Sequence, residues 1–299
     1  MKKLFIFFLT CCWAGWGNPV WAQLPTDALY MPKGSACLAL QLGQTSWSDY
    51  WEDQLKRNNQ NIGTHHTRMI MPMVAVGITE RVNLLVGVPY LQTSTTQGNL
   101  LGERGFQDVS LWIKGKVWEN TSRSLHIIGG VSTPSHGYST DLQPMALGLG
   151  ARSASVRILG NQKIGSHGYL TVSTSYQMMG NGRLDRDAHL WGSQLVYSDV
   201  VNVPDTWDVQ LRVGRFHKSL QMEVAMESYA CLQGDGIRRN DMPAITNDRH
   251  QSSVVGYLKY QPKNLGGTVR FQQVLAGKNV GLAQSIQVGL LYQLNPKTK

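Results

Sequence analysis

Apolar and polar residues alternate with a period of two along most of the chain, and nothing else limits the possible folds as strongly. Leu38, Leu40 and Leu42 share one face, with Cys37, Ala39, Gln41 and Gly43 on the other. Ile70, Val74, Val76 and Ile78 alternate with Met69, Met71, Met73 and Ala75. Leu220, Met222, Val224 and Met226 oppose Gln221, Glu223 and Glu227, and Ile286, Val288, Leu290 and Tyr292 oppose Ser285, Gln287, Gly289 and Gln293. Ordinary strands average about 5–6 residues. Many of these segments run to about 9–12, the length a tilted strand needs to cross a bilayer.

The connections divide into two kinds. Thr79–Arg81, Asn120–Ser122, His217–Ser219 and Pro262–Asn264 are tight, while Thr45–His65, Gln92–Gly105, Pro134–Gln143 and Gln233–Gln251 are long and polar. Short turns at one end and long loops at the other are the pattern of an outer-membrane barrel. After residue 22 no segment is apolar for the length of a transmembrane helix. A membrane protein built from this chain must therefore be a closed barrel. The 31 glycines and sparse charge suit a turn-rich β protein.

The first residues, MKKLFIFFLTCCWAGWGNPVWAQ, have the three parts of a secretory signal. Lys2 and Lys3 supply the positive region, an apolar run follows, and Val20-Trp21-Ala22 is a small-residue cleavage site. Residues 1–22 are read as a signal peptide and 23–299 as one outer-membrane β-barrel domain. Cleavage removes two lysines and no acid, taking the formal charge from +9 to +7. It also removes Cys11 and Cys12, leaving Cys37 and Cys231, whose pairing stays open at this point.

Thirteen strand candidates emerge: 36–44, 67–78, 82–91, 107–118, 124–133, 152–160, 168–178, 189–199, 206–216, 219–231, 251–260, 266–275 and 283–294. Single-chain bacterial barrels have even numbers of strands, so one assignment between 134 and 206 is in error or one strand there is missing. The fold expected is all-β: a transmembrane, antiparallel up-and-down barrel of 12 strands, with 14 as the alternative.

Charges on the strands occupy the more polar face. Lys114, Lys116, Arg157, Arg212, Glu223, Glu227 and Arg270 all do so, and with Trp112 they form the expected lumen lining. On a lipid face near the midplane each Lys or Arg would cost about 2–4 kcal/mol. Arg212 and Glu223 flank the His217–Ser219 turn, so an Arg–Glu ladder is expected there. Trp47, Trp51, Trp112, Trp118, Trp191, Trp207, Tyr90 and Tyr292 fall mostly near strand ends, which suggests an interfacial aromatic girdle, with a stacking site for aromatic substrates as the sharper alternative.

Other chemistry finds little support. The eight histidines have no carboxylate or cysteine at ligand spacing, and His65-His66 would point to opposite faces of a strand. Ser135-His136 is the local candidate for a rim nucleophile and base. Gly234-Asp235-Gly236 lacks the further acids of a calcium loop. Basic residues are dispersed and not interleaved with aromatics, so nucleic acid is not an expected partner.

Three segments resemble a known family. GITERVNLLVGVPYL (77–91), GFQDVSLWIKGKVW (105–118) and GGVSTPSHGYSTDLQPMALGLGARSASVRI (129–158) are similar to motifs of the MetA-pathway of phenol degradation family of bacterial outer-membrane proteins. The likeness covers roughly residues 34 to 160 well and the rest loosely. Ser132-Thr133-Pro134-Ser135 replaces the family's Pro-Thr-Gly turn, and the chain ends YQLNPKTK instead of on an aromatic residue. The resemblance implies a passive channel for uptake of small hydrophobic or aromatic compounds, without cofactor or metal and without catalysis. Expected partners are outer-membrane lipid, such a substrate and the barrel-assembly machinery. The alternatives are a structural or surface-interaction barrel with a filled lumen and partner-binding loops, and an outer-membrane hydrolase.

Overall fold

A computed structural model describes residues 24–191, 194–237 and 243–295. The signal peptide assigned to residues 1–22 lies outside them. Twelve strands form one closed wall. They are β1 (Ala36–Trp47), β2 (His65–Gly77), β3 (Val82–Gly87 continued by Tyr90–Thr95), β4 (Arg104–Phe106 continued by Asp108–Glu119), β5 (Arg123–Pro134) and β6 (Ser153–Ile164). The second half comprises β7 (Gly168–Met179), β8 (Thr206–His217), β9 (Leu220–Cys231), β10 (His250–Tyr260), β11 (Leu265–Lys278) and β12 (Gln284–Leu294). Each pairs antiparallel with its chain neighbours, and the register from Ala36↔Leu294 to Ser46↔Gln284 closes β1 onto β12. No open edge remains, so the ladder satisfies the backbone polar groups without water.

Of residues 189–199, expected as a barrel strand, His189–Trp191 instead pairs antiparallel with Gln194–Val196, outside the wall. It stands in the loop between β7 and β8, beyond a second ribbon of Asn181–Arg183 with Val200–Asn202. The reason is long-range: β7 pairs directly with β8, from Gly168↔Arg215 to Gln177↔Thr206, and leaves no edge to join. That removes one of thirteen candidates, leaving the even number.

Facing prolines interrupt the wall once. The β2–β3 ladder skips from Ile70↔Tyr90 to Met73↔Gly87, leaving Met71-Pro72 opposite Val88-Pro89. Neither proline has an N–H to donate, and only the Val88 N–H, donated to the Pro72 carbonyl at 3.3 Å, crosses there.

Alternation sorts the side chains as its period dictates. Leu38, Leu40, Ile70, Val74, Val86, Val156, Val213, Val224 and Val288 form an exposed apolar outer band. Ile78 and Val86 of the 77–91 hairpin belong to it, and its Thr79–Arg81 corner is a tight turn. Trp207 at the loop end and Trp118, Tyr260 and Tyr292 at the turn end face outward as interface aromatics. Trp112 does not join them; it faces inward and packs on a buried cluster. Trp47 also turns inward and stacks on His65 at 5.2 Å, and Trp51 lies in a loop ribbon of Asp49–Glu52 with Leu55–Asn58.

Cys37 and Cys231 are free and buried. One opens β1 at the turn end and the other closes β9 at the loop end, so the barrel height separates them.

Val224 sits mid-strand on the outer face and is 61% exposed. Val224→Arg should destabilise the barrel by about 2–4 kcal/mol if this face meets lipid. Urea unfolding in liposomes measures it, and an unchanged midpoint would contradict a lipid-facing wall.

Candidate functional site: the lumen and its N-terminal segment

The lumen holds two structures: a charged network on the wall and the segment Leu24–Ser35 that precedes β1. Sequence reasoning missed the segment, because it carries no alternation. Its fold begins with Asp27, whose Oδ2 accepts the Leu24 N–H at 2.7 Å and whose Oδ1 accepts that of Leu29 at 2.9 Å. This aspartate-centred turn presents three acceptors to one cation. Lys114 Nζ lies 2.6 Å from Asp27 Oδ1, 2.9 Å from the Leu29 carbonyl and 3.2 Å from that of Leu24. Lys114 is 0% exposed. An ammonium so buried costs several kcal/mol unless paired and fully hydrogen-bonded, so Asp27 and the two carbonyls make its position tenable.

The segment continues along the inner wall. The Tyr30 ring stacks on His126 at 5.2 Å, its hydroxyl lies 3.0 Å from His126 Nδ1, and the ammoniums of Lys114 and Lys116 stand 5.0 and 5.2 Å from its centroid. Met31 is buried with Cys37, Met73, Ala75, Leu85 and Leu291. Close approach of the segment requires Gly77. A Cβ there would stand 2.1 Å from the Pro32 carbonyl oxygen, while its own N–H donates to Ser35 O at 2.9 Å and its C=O accepts from Gly34 at 2.8 Å.

Farther up the wall the charges pair. Arg157 meets Asp208 at 2.6 Å. Arg212 meets Glu223 at 3.0 Å and Glu227 at 3.1 Å, and Arg270 meets the other Glu227 oxygen at 2.8 Å. Tyr169 donates to Glu223 at 2.8 Å, and its ring covers Gly214, where a Cβ would lie 2.2 Å from it. The expected Arg212–Glu223 pairing is present, diagonal in a register that sets Arg212 opposite Ala225 and Gly214 opposite Glu223.

All eight residues singled out for the lumen point inward, but they play different parts. Lys114 holds the segment, Trp112 packs against the Met31 cluster, and Lys116 pairs with Glu119 at 2.8 Å near the turn end. Arg157, Arg212, Glu223, Glu227 and Arg270 form the network, with Asp208 as its missed member. Three arginines meet three carboxylates there, so the network itself carries no formal net charge.

A cavity of about 210 Å³ lies between the network and residues Leu24–Thr26. A second, of about 380 Å³, lies on the turn side of the segment between Tyr30, Lys116, Asn161, His167 and Phe216. At the loop end the long connections are folded. Ala151, Leu184, Val201, Val203 and Ile245 make a small buried core, and Glu103 takes the N–H groups of Ser139 and Leu147 at 3.1 and 3.2 Å. The Asp49–Asn58 ribbon is tied to the β11–β12 loop through Trp51 N to Val280 O at 2.9 Å and Asp53 N to Asn279 Oδ1 at 2.8 Å.

Ser135 and His136 do not make a nucleophile–base pair. The serine hydroxyl donates to Phe106 O at 3.0 Å, and His136 Nδ1 lies 3.1 Å from Gly137 O. Among the described residues no group of three or more His, Cys, Asp or Glu is placed to hold a metal ion.

No protein-family model matches the chain, and no curated protein matches it. Among solved structures, the COG4313 outer membrane channel from Pseudomonas putida F1 is similar with a TM-score of 0.73 at 12% identity, over 91% of this chain and 100% of that one. The NanC porin is similar with a TM-score of 0.51 at 9% identity, over 86% of this chain and 100% of that one. Likeness at such identities concerns the fold.

Proposed function

We propose that the protein is a channel of the bacterial outer membrane, inserted by the barrel-assembly machinery and taking up small hydrophobic or aromatic compounds by passive diffusion. One observation carries the channel reading: the lumen has cavities on both sides of a segment that is held only by non-covalent contacts and clasped by the Lys114–Asp27 pair. The resemblance to the MetA-pathway of phenol degradation family supports the substrate class, and the fold likeness to an outer membrane channel supports the membrane and the mode of action. Short turns and both ends of the barrel domain then face the periplasm, and the folded loops face outside.

Purified protein in planar bilayers should give small unitary conductances. Liposomes containing it should admit a small aromatic such as phenol faster than empty ones. No conductance and no added phenol flux would overturn the channel.

A second reading, a filled barrel whose loops bind a partner, is favoured by the buried loop core around Ile245. It expects no conductance from the full chain or from any variant lacking part of the lumen segment.

A further inference from the structure

The outer wall carries a polar row that a channel does not need. Near the loop end the register sets Gln44 beside Arg68, Arg68 beside Gln92, and Gln92 beside Arg104. All four side chains are exposed. One pleat below, on the same face, run Leu42, Ile70, Tyr90 and Phe106. Tyr90 and Phe106 meet edge to face at 5.3 Å. An apolar row ending in aromatics, topped by cations, is the profile of a wall passing from acyl chains into headgroups.

At the loop end arginine on this face is concentrated here, while Arg123 and Arg215 face outward at the turn end. Other outward side chains near the loop end include Val131, Met178, Trp207, Ser228, His250 and Gln284. Arg152, one residue before β6, is the outlying cation. Glu103 adjoins Arg104 in sequence, but its carboxylate is turned into the loops and occupied by Ser139 and Leu147. Arg68 and Arg104 pair with no acid among the described residues, as is also true of Arg81, Arg123, Arg152, Arg215 and Arg249, whereas the lumen arginines Arg157, Arg212 and Arg270 are all ion-paired. With strands about 4.8 Å apart, the backbones of Arg68 and Arg104 lie about 10 Å from each other, with Gln92 between them. Two guanidiniums on stems of that length can close on one phosphate, each as a bidentate donor.

The geometry points to a lipid site on the outer wall of β2–β4. Arg68 and Arg104 bind the phosphate of an outer-leaflet headgroup, Gln92 and Gln44 flank it, and the acyl chains lie on the Leu42–Phe106 row. The site rests on the membrane reading above but not on conduction.

Diphosphoryl lipid A is the probe, added to the full-length protein in neutral detergent micelles and counted by native mass spectrometry. Wild type should hold one lipid A tightly. The double variant Arg68→Gln/Arg104→Gln should bind at least ten-fold more weakly, while the control Arg152→Gln binds as wild type. Dephosphorylated lipid A should lose the same affinity, and millimolar inorganic phosphate should not compete. Heat-modifiable gel migration checks that each variant is folded. Equal binding by the double variant, no loss on dephosphorylation, or no lipid A binding by wild type would overturn the site, whatever the bilayer recordings show. Full competition by inorganic phosphate would also overturn it, in favour of a soluble anion. A double variant that fails the gel check is replaced by the single variants, each expected to lose part of the affinity; unchanged affinity in both would overturn the site.

Discussion

Removing residues Pro25–Tyr30 should raise the single-channel conductance several-fold and lengthen open times. The deletion keeps Met31 in its buried cluster and Ser35 on Gly77, so the barrel closure at β1 is untouched. What it removes is the aspartate-centred turn that fills the lumen below the charged network. Asp27→Asn should act in the same direction with less effect. It leaves the turn able to form but strips the carboxylate from a fully buried ammonium. Breaking one side of a buried ion pair costs about 3–5 kcal/mol, and hydrating Lys114 by displacing the segment avoids that cost. Planar-bilayer recordings decide both. Conductance unchanged from the full chain in the deletion would mean that the obstruction lies elsewhere, in the loop-end cap.

Arg212→Met should lower the midpoint of heat modification further than any other single lumen substitution. Arg212 is the shared partner of Glu223 and Glu227, and the Glu223 side chain is only 4% exposed. Without the guanidinium, Glu223 keeps, among the described residues, the hydrogen bond from Tyr169, and the loss is about 3–5 kcal/mol. Adding Glu223→Gln should restore most of it, since the stranded charge is then gone. Arg270→Met should cost much less, because Glu227 retains Arg212. Semi-native gels over a temperature series give the ranking. Failure of Glu223→Gln to rescue would show that the cost is lost packing and not an uncompensated carboxylate.

The two experiments separate parts of the site that differed in legibility. Arg212 and Glu223 lie on consecutive strands joined by a tight turn, so a short-range register argument was enough to pair them. The Arg270–Glu227 pair was not legible, because β10 stands between those strands and the contact depends on two registers at once. Asp208 shares the polar face of its strand with Arg212, but nothing local ties it to Arg157, for the same reason: β7 intervenes. Residues 189–199 were misread because a loop ribbon also has two faces and alternates like a wall strand. Only the direct pairing of β7 with β8 excludes them. Trp112 was placed both in the lumen lining and among the girdle aromatics, and its strand parity, shared with Lys114, decides for the inner face.

By itself the sequence determined the class of fold and the two faces of its wall. A period of two is a local property, and which side chains point outward follows from it wherever the backbone is extended. Twelve-residue strands, short turns and long loops then leave a closed barrel as the arrangement that satisfies every backbone group in lipid. What fills that barrel only the tertiary structure decided. The segment Leu24–Ser35 has no periodicity to announce it, and its place is set by contacts with residues about 90 positions away, Lys114 above all. Such contacts depend on closure of the whole wall, which brings a strand from the first half of the chain over the segment Leu24–Ser35 and sets the Asp27 carboxylate beside a buried ammonium.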